Sequence, residues 1–329
     1  DLPALGYRTY FLASQASFAP AAPVASPADV PQHVLENARF RLEIDPATGC
    51  IASLRDKAAG VEVFDGPAAR GVVIDDPSDT WSHGIFKFDR EVGAFRPRSM
   101  AVVEQGPVKS VLRVVSDFMP SNGGERCLLT QEFTLYEALD QIDVHVTVDW
   151  RGRYQMLKLR FPARLADAQL TAEVAYGSIQ RAANGDEDPV QGWVDLSGIS
   201  PDSGRPYGLS VLNDGKYSGD VTGNDIGLTV LRSPVYANHL PVVPDPDGHY
   251  SFMDQGIQRF TYTLLPHIAT WREAGTVRRA AELNQRAIGL ITTYRPDGTL
   301  PLSASFAFAD RSNIDLTVVK PAEDAARDL

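Results

Sequence analysis

The stretch RFRLEIDPATGCIASLR, residues 39–55, decides how the fold is interpreted. Polar and apolar residues alternate over 39–44, which is typical of a strand with one buried face, and residues 50–55 resume a strand. Residues 45–49 between them contain Asp, Pro, Thr and Gly, which favour turns. The stretch therefore predicts an antiparallel β-hairpin with a loop of about five residues.

Similar runs continue along most of the chain. They predict further strands at 71–74, 100–105, 110–118, 127–135, 141–150, 155–161, 207–212, 226–231, 257–265, 300–308 and 314–319. One helix is predicted, over 270–288, where apolar residues follow a helical period. Strands and helices do not alternate, so the predicted fold class is all-β, a large antiparallel sandwich with one short helix.

Charge and composition exclude two classes of partner. The chain has 31 basic and 42 acidic residues, a net charge of −11, which does not suit a nucleic-acid backbone. No apolar run approaches the ~20 residues that span a membrane. Cys50 and Cys127 are too few and too far apart for a disulfide framework, so buried reduced thiols are expected. No Asn-x-Ser/Thr acceptor occurs, and we expect a cytoplasmic location.

The chain is predicted to have three parts. Residues 1–31 are interpreted as the end of a preceding small β domain followed by a linker rich in Ala and Pro. Residues 32–290 form the sandwich, and 291–329 form C-terminal strands that end early. The non-Met start at Asp1 suggests a piece of a longer chain.

The main candidate site is the segment DDPSDTWSHG, residues 75–84. It combines three carboxylates, an indole and an imidazole, the groups that bind the hydroxyls and the apolar face of a sugar. The alternative is an ordinary acidic loop with Trp81 in the core.

Two other histidines attract attention. Asp143, His145 and Asp149 share one strand face, but neighbours ~6–7 Å apart on a rigid strand cannot easily converge on one zinc ion. His267, between a strand and the helix, is expected to pack or cap. A pair of catalytic carboxylates cannot be identified from spacing alone.

Nine stretches in order give the chain a resemblance to family 38 α-mannosidases of the bacterial branch. They are 40–57, DTWSHG (79–84), LKLRFP (157–162), YGSIQR (176–181), YGL (207–209), LNDGKY (212–217), GLTVLRSP (227–234), FTYTLLPH (260–267) and KPAED (320–324). Together they cover nearly the whole chain.

The resemblance implies a galactose-mutarotase-like supersandwich, the C-terminal part of a retaining hydrolase that cleaves α-mannosides. By the same resemblance, zinc and the nucleophile belong to an N-terminal catalytic domain, this chain's expected partner. We therefore expect no catalytic residue, metal ligand or cofactor in this segment. Family loops of this sandwich reach the sugar pocket, which makes substrate-contacting candidates of Asp79, Trp81, His83 and Arg232, and less strongly of Tyr176 and Arg181.

Two alternatives remain open. A free-standing aldose epimerase would need His145, His267 and an acid such as Glu132 to converge on one sugar ring. A carbohydrate-binding module would bind mannose without any chemistry.

Overall fold

The computed structural model describes residues 2–12, 31–120, 124–245, 247–293, 297–311, 313–314, 316–320 and 322–323. The chain forms two compact units, one of residues 24–286 and one of residues 1–23 with 287–329. The predicted linker, 13–31, lies outside the described residues except for Pro31. Its assignment, like the three-part division, stays a prediction.

In chain order the elements are β1 (Gly6–Arg8), β2 (Val34–Glu36), β3 (Phe40–Ile44), β4 (Ile51–Asp56), β5 (Val61–Glu62), β6 (Arg70–Asp75), β7 (Glu91–Ala94), β8 (Arg96–Gln105), β9 (Lys109–Phe118), β10 (Cys127–Tyr136), β11 (Ile142–Trp150), β12 (Gln155–Pro162), β13 (Ala166–Val174), β14 (Gly177–Arg181), β15 (Asp188–Pro189), β16 (Trp193–Ile199), β17 (Pro206–Asn213), β18 (Ser218–Thr222), β19 (Asp225–Arg232), β20 (Gly256–Ile268), α1 (Thr276–Asn284) and β21 (Ser303–Ser305).

Three antiparallel sheets build the larger unit. The nine-stranded sheet has the order β14-β13-β16-β17-β20-β11-β10-β9-β8, and the six-stranded sheet has the order β15-β18-β19-β12-β6-β7. The third sheet, β2-β3-β4-β5, contains the predicted hairpin as β3 and β4, in which Ile44 pairs with Ile51. Gly49, at φ +70°, supplies the left-handed residue of its loop. The all-β fold class and the sandwich are thus confirmed.

The core lies between the nine-stranded and six-stranded sheets. Phe161 of β12 meets Tyr262 of β20 edge-to-face, with ring centroids 5.3 Å apart. The Tyr262 hydroxyl donates to Gln131 Oε1, and Gln131 Nε2 donates to the Ala69 carbonyl, so the buried polar groups satisfy one another. Strand β11 alternates between buried and more exposed residues along its length, as its sequence predicts.

Helix α1 covers part of the outer face of the nine-stranded sheet. Ala280 packs with Trp193, Leu212, Leu265 and Trp271. The helix is shorter than the predicted 270–288, because Gly275 adopts φ +68° just before it and Gln285 leaves the helical conformation after it. Likewise, the predicted strand at 300–308 shrinks to β21, and the described residues of 314–319 form no strand.

Both cysteines are free and buried, as the sequence predicts. Burial raises the pKa of the Cys50 thiol and that of the Cys127 thiol. In the described part of the chain, no helix is long and apolar enough to cross a membrane.

Candidate functional site

The segment between β6 and β7 folds over the outer face of the six-stranded sheet. Phe88 from this segment packs with Val72, Ile74 and Met156 of that face. The Thr80 amide donates to the Asn238 carbonyl over 3.1 Å, and the Thr80 hydroxyl donates to the Val235 carbonyl over 2.9 Å. The segment after β19 therefore lies directly beside the Asp79–Gly84 loop.

Asp79 organises this loop from within. Its side chain is buried, and its Oδ1 accepts the amides of Trp81 (3.0 Å) and His83 (3.2 Å). Its Oδ2 accepts the Leu240 amide (3.0 Å) and lies 2.6 Å from His83 Nδ1. Because an ionised carboxylate can only accept, Nδ1 carries the proton, and His83 Nε2 is left for other partners.

The hydrogen bonds also determine the charge state of Asp79. Burial by itself raises the pKa of this carboxyl, but the donors from Leu240 and His83 outweigh burial and hold the pKa well below its ordinary value. Asp79 is therefore ionised throughout the physiological range.

We expect this carboxylate to make stability depend on acid. Since its pKa is lower in the folded than in the unfolded chain, its contribution is complete above about pH 4 and disappears as the pH falls through the folded value. Asp79→Asn should lower the melting temperature by a constant amount from pH 8 to pH 5, and the difference should shrink below pH 4. Thermal unfolding of the wild type and of Asp79→Asn over this pH range checks the prediction. A difference in melting temperature that is as large at pH 3 as at pH 7 contradicts it.

Arg232 lies under the loop. Its Nε and one terminal nitrogen hold the buried Asp76 carboxylate at 2.9 and 3.1 Å. The same nitrogen donates to Ser78 Oγ over 2.6 Å, and the guanidinium lies 5.0 Å from the Phe88 ring centroid. Most of the N–H donors of Arg232 thus bind groups inside the protein, and these hydrogen bonds hold the loop in place.

Three aromatic rings form the outward side of the loop. Trp81 is 57% exposed, so the alternative of a core tryptophan is wrong. The His239 ring centroid lies 5.4 Å from that of Trp81 and 4.5 Å from that of His83. Ring faces beside imidazole nitrogens can bind a sugar by stacking and hydrogen bonding. His239 was not predicted from the sequence, since nothing local ties it to a loop more than 150 residues earlier.

Tyr176 and Arg181 lie elsewhere, at the outermost strand of the nine-stranded sheet. Tyr176 is fully exposed in the turn before β14. Arg181 donates to the Pro189 carbonyl over 2.8 Å and pairs with Asp188 at 3.6 Å. In the described structure no hydrogen bond or ring contact joins either residue to the Asp79–Gly84 loop, so their sugar-binding role stays a prediction.

The three residues of the epimerase hypothesis do not converge. His145 stands opposite Thr261 in the β11–β20 register, and His267 lies six residues farther along β20, ~20 Å away at the rise of a strand. His267 is moreover buried inside β20, where it contacts Asp195 (2.8 Å) and Ser210 (3.3 Å). Proton transfer across one sugar ring needs contact or one bridging water, which this separation forbids.

Among the described residues no group of three or more His, Cys, Asp or Glu side chains could hold a metal ion. Two of the β11 residues considered as zinc ligands contact side chains of β20 instead. Asp143 accepts from the Thr263 hydroxyl over 2.7 Å, and His145 Nδ1 lies 3.0 Å from Thr261 Oγ1.

Comparison with known proteins supplies the family. The model of the glycosyl hydrolases family 38 C-terminal domain matches residues 35–248. The chain is 29% identical over 264 residues to alpha-mannosidase 2C1 of Mus musculus, a match that covers 76% of this chain and 23% of that protein. It is 25% identical over 312 residues to alpha-mannosidase G of Dictyostelium discoideum, covering 90% and 27%.

A crystal structure of an alpha-mannosidase from Enterococcus faecalis V583 has the same fold, with a TM-score of 0.73 at 16% identity. The match covers 89% of this chain and 35% of that one. The chain spans about a quarter of the length of the curated relatives that it matches. The resemblance found in the sequence is confirmed, and the chain belongs to the family of glycosyl hydrolase family 38 C-terminal domains.

Proposed function

We propose that this chain is the non-catalytic C-terminal part of a retaining, zinc-dependent α-mannosidase. In this proposal it supports the active site of an N-terminal catalytic domain and lines the sugar pocket with the Asp79–Gly84 loop. The observation that carries the proposal is the loop itself, a carboxylate-anchored segment that presents Trp81 and His83 on its outer side, beside His239 of the segment after β19.

The proposal divides the chemistry between two parts of a longer protein. In this proposal zinc and the nucleophile belong to the N-terminal domain, as the family resemblance implies. This chain's residues bind and orient the sugar: Trp81 stacks on its apolar face, and the free Nε2 atoms of His83 and His239 take its hydroxyls. Arg232 acts as a positioning residue beneath them. A cytoplasmic location belongs to the same proposal.

The test compares the 329-residue chain with the polypeptide translated from its complete open reading frame. We expect the longer protein to hydrolyse p-nitrophenyl α-mannoside and to lose this activity with a zinc chelator, and the shorter chain to show no turnover. Hydrolysis by the purified short chain, proportional to its concentration, would overturn the proposal.

A matched pair of variants tests the loop in the longer protein. Trp81→Ala should lower kcat/KM by about 2- to 12-fold, since a ring stacked on its partner contributes about 0.5–1.5 kcal/mol. Met119→Ala, which removes an equally exposed apolar side chain at 57%, should leave kcat/KM unchanged. If the two substitutions change kcat/KM equally, the proposal that the loop lines the sugar pocket is wrong.

A further inference from the structure

A pocket opens on the outer face of the nine-stranded sheet, beside helix α1. Its volume is ≈ 290 Å³, which exceeds the ~30 Å³ share of one water molecule and lies near the lower end of small-ligand sites. Strands β10, β11 and β20 supply one side and the helix supplies the other. The polar residues that line it are Tyr136, Gln141, Asp143, His145, Thr261, Arg279, Glu282 and Arg286.

The charges in this pocket are already balanced by one another. Arg286 pairs with Asp214 at 2.9 Å and also donates to Thr261 Oγ1 over 3.0 Å. Arg279 faces Glu282 at 3.9 Å. Asp143 is the remaining carboxylate, and its Oδ1 accepts from Gln141 and Thr263. No excess of positive charge is left to attract an anion.

Unused hydrogen-bonding groups remain in the pocket, and they include both donors and acceptors. Among the described residues, the Tyr136 hydroxyl and His145 Nε2 have no partner in the protein. The Gln141 Oε1 atom is buried without a donor. Burial, with the nearby Asp143 charge, raises the pKa of Tyr136, so that its hydroxyl keeps the proton and can donate. A ligand that satisfies this pocket must both donate and accept.

Vicinal hydroxyl groups meet this requirement, because each can donate one hydrogen bond and accept two. We propose that the pocket formed by α1, β11 and β20 binds one neutral sugar residue through its hydroxyls. This site lies on the other sheet from the Asp79–Gly84 loop and uses none of the loop's residues. Its existence is therefore independent of the function proposed above.

Saturation-transfer NMR on the full chain tests the site, with methyl α-mannoside, methyl α-glucoside and methyl β-galactoside as probes. All measurements use the Trp81→Ala background, which weakens any sugar binding at the loop. Tyr136→Phe removes only the phenolic hydroxyl, and Arg279→Met removes a lining guanidinium. Arg278→Met is the matched control, because Arg278 neighbours Arg279 on the helix but does not line the pocket.

We expect saturable binding of at least one glycoside. Tyr136→Phe should raise Kd about 5-fold, the equivalent of one neutral hydrogen bond. Arg279→Met should raise it more, because a hydrogen bond from a charged donor is stronger, while Arg278→Met leaves Kd unchanged. The proposal fails if no glycoside binds in the Trp81→Ala background, or if the three further variants bind equally. It also fails if inorganic phosphate binds at the pocket and the glycosides do not.

Discussion

Replacing Arg232 with methionine is expected to lower the free energy of unfolding by about 3–5 kcal/mol, the cost of leaving a buried charge without its partner. Asp76 would be that charge, since its carboxylate is fully buried and Arg232 holds both of its oxygens. The loop should loosen as well, because Ser78 and the carbonyls of Asp79 and Thr80 lose the same donor. Urea unfolding and the rate of proteolysis within 76–84 measure the two effects.

Two further variants make this prediction specific. Arg232→Lys keeps the charge but cannot hold both Asp76 oxygens. Its free energy of unfolding should therefore lie between that of the wild type and that of Arg232→Met. Arg278→Met removes the charge of an exposed helix pair and should cost less than about 0.5 kcal/mol. A loss below 1 kcal/mol for Arg232→Met would show that the loop is held by other contacts.

Replacing Lys158 should lower the free energy of unfolding as much as replacing Arg232. Its side chain is 0% exposed on β12, and its ammonium group contacts both Glu187 and Asp220. Lys158→Met removes the cation that lies between the two carboxylates. Among the described residues, Asp220 keeps a cationic partner, Arg160 at 2.6 Å, and Glu187 keeps none. We expect a loss of about 3–5 kcal/mol in the free energy of unfolding, measured by urea denaturation.

The control for Lys158 is an exposed ion pair in the same six-stranded sheet. Arg70 of β6 pairs with Glu91 of β7, and both side chains are more than a third exposed. Arg70→Met should therefore cost no more than about 1 kcal/mol. If Lys158→Met costs no more than Arg70→Met, the buried network does not stabilise the fold.

Local pattern was enough to predict most of the sandwich, because strand alternation is imposed wherever one face is buried. Strand β11 shows this directly: its Ile and Val residues face the core and its Asp, His and Thr residues face outward. Element ends were less predictable. Helix α1 begins only after Gly275, because the left-handed backbone conformation of this glycine interrupts the helical period that was predicted to start at residue 270.

The site could be predicted only as far as it is local in sequence. Asp79, Trp81 and His83 share one loop, and their residue types indicated sugar binding before any geometry was known. The Leu240 amide lies 161 residues from Asp79, and only the fold brings them together. Arg232 is predicted as a sugar contact from its position in the family's motif, and that contact stays a prediction. Its bond to buried Asp76, which local sequence could not reveal, shows that it also supports the loop.

The pairing of β1 with β21 has a consequence for the order of folding. The Tyr7 hydroxyl donates to the Pro301 carbonyl across 294 residues of sequence, and β1 has β21 as its strand partner. During synthesis β1 cannot pair until β21 has been made, whereas the strands of residues 24–286 have their partners nearer in sequence. We expect the small unit to form last, at an entropic cost that grows only with the logarithm of the loop it closes.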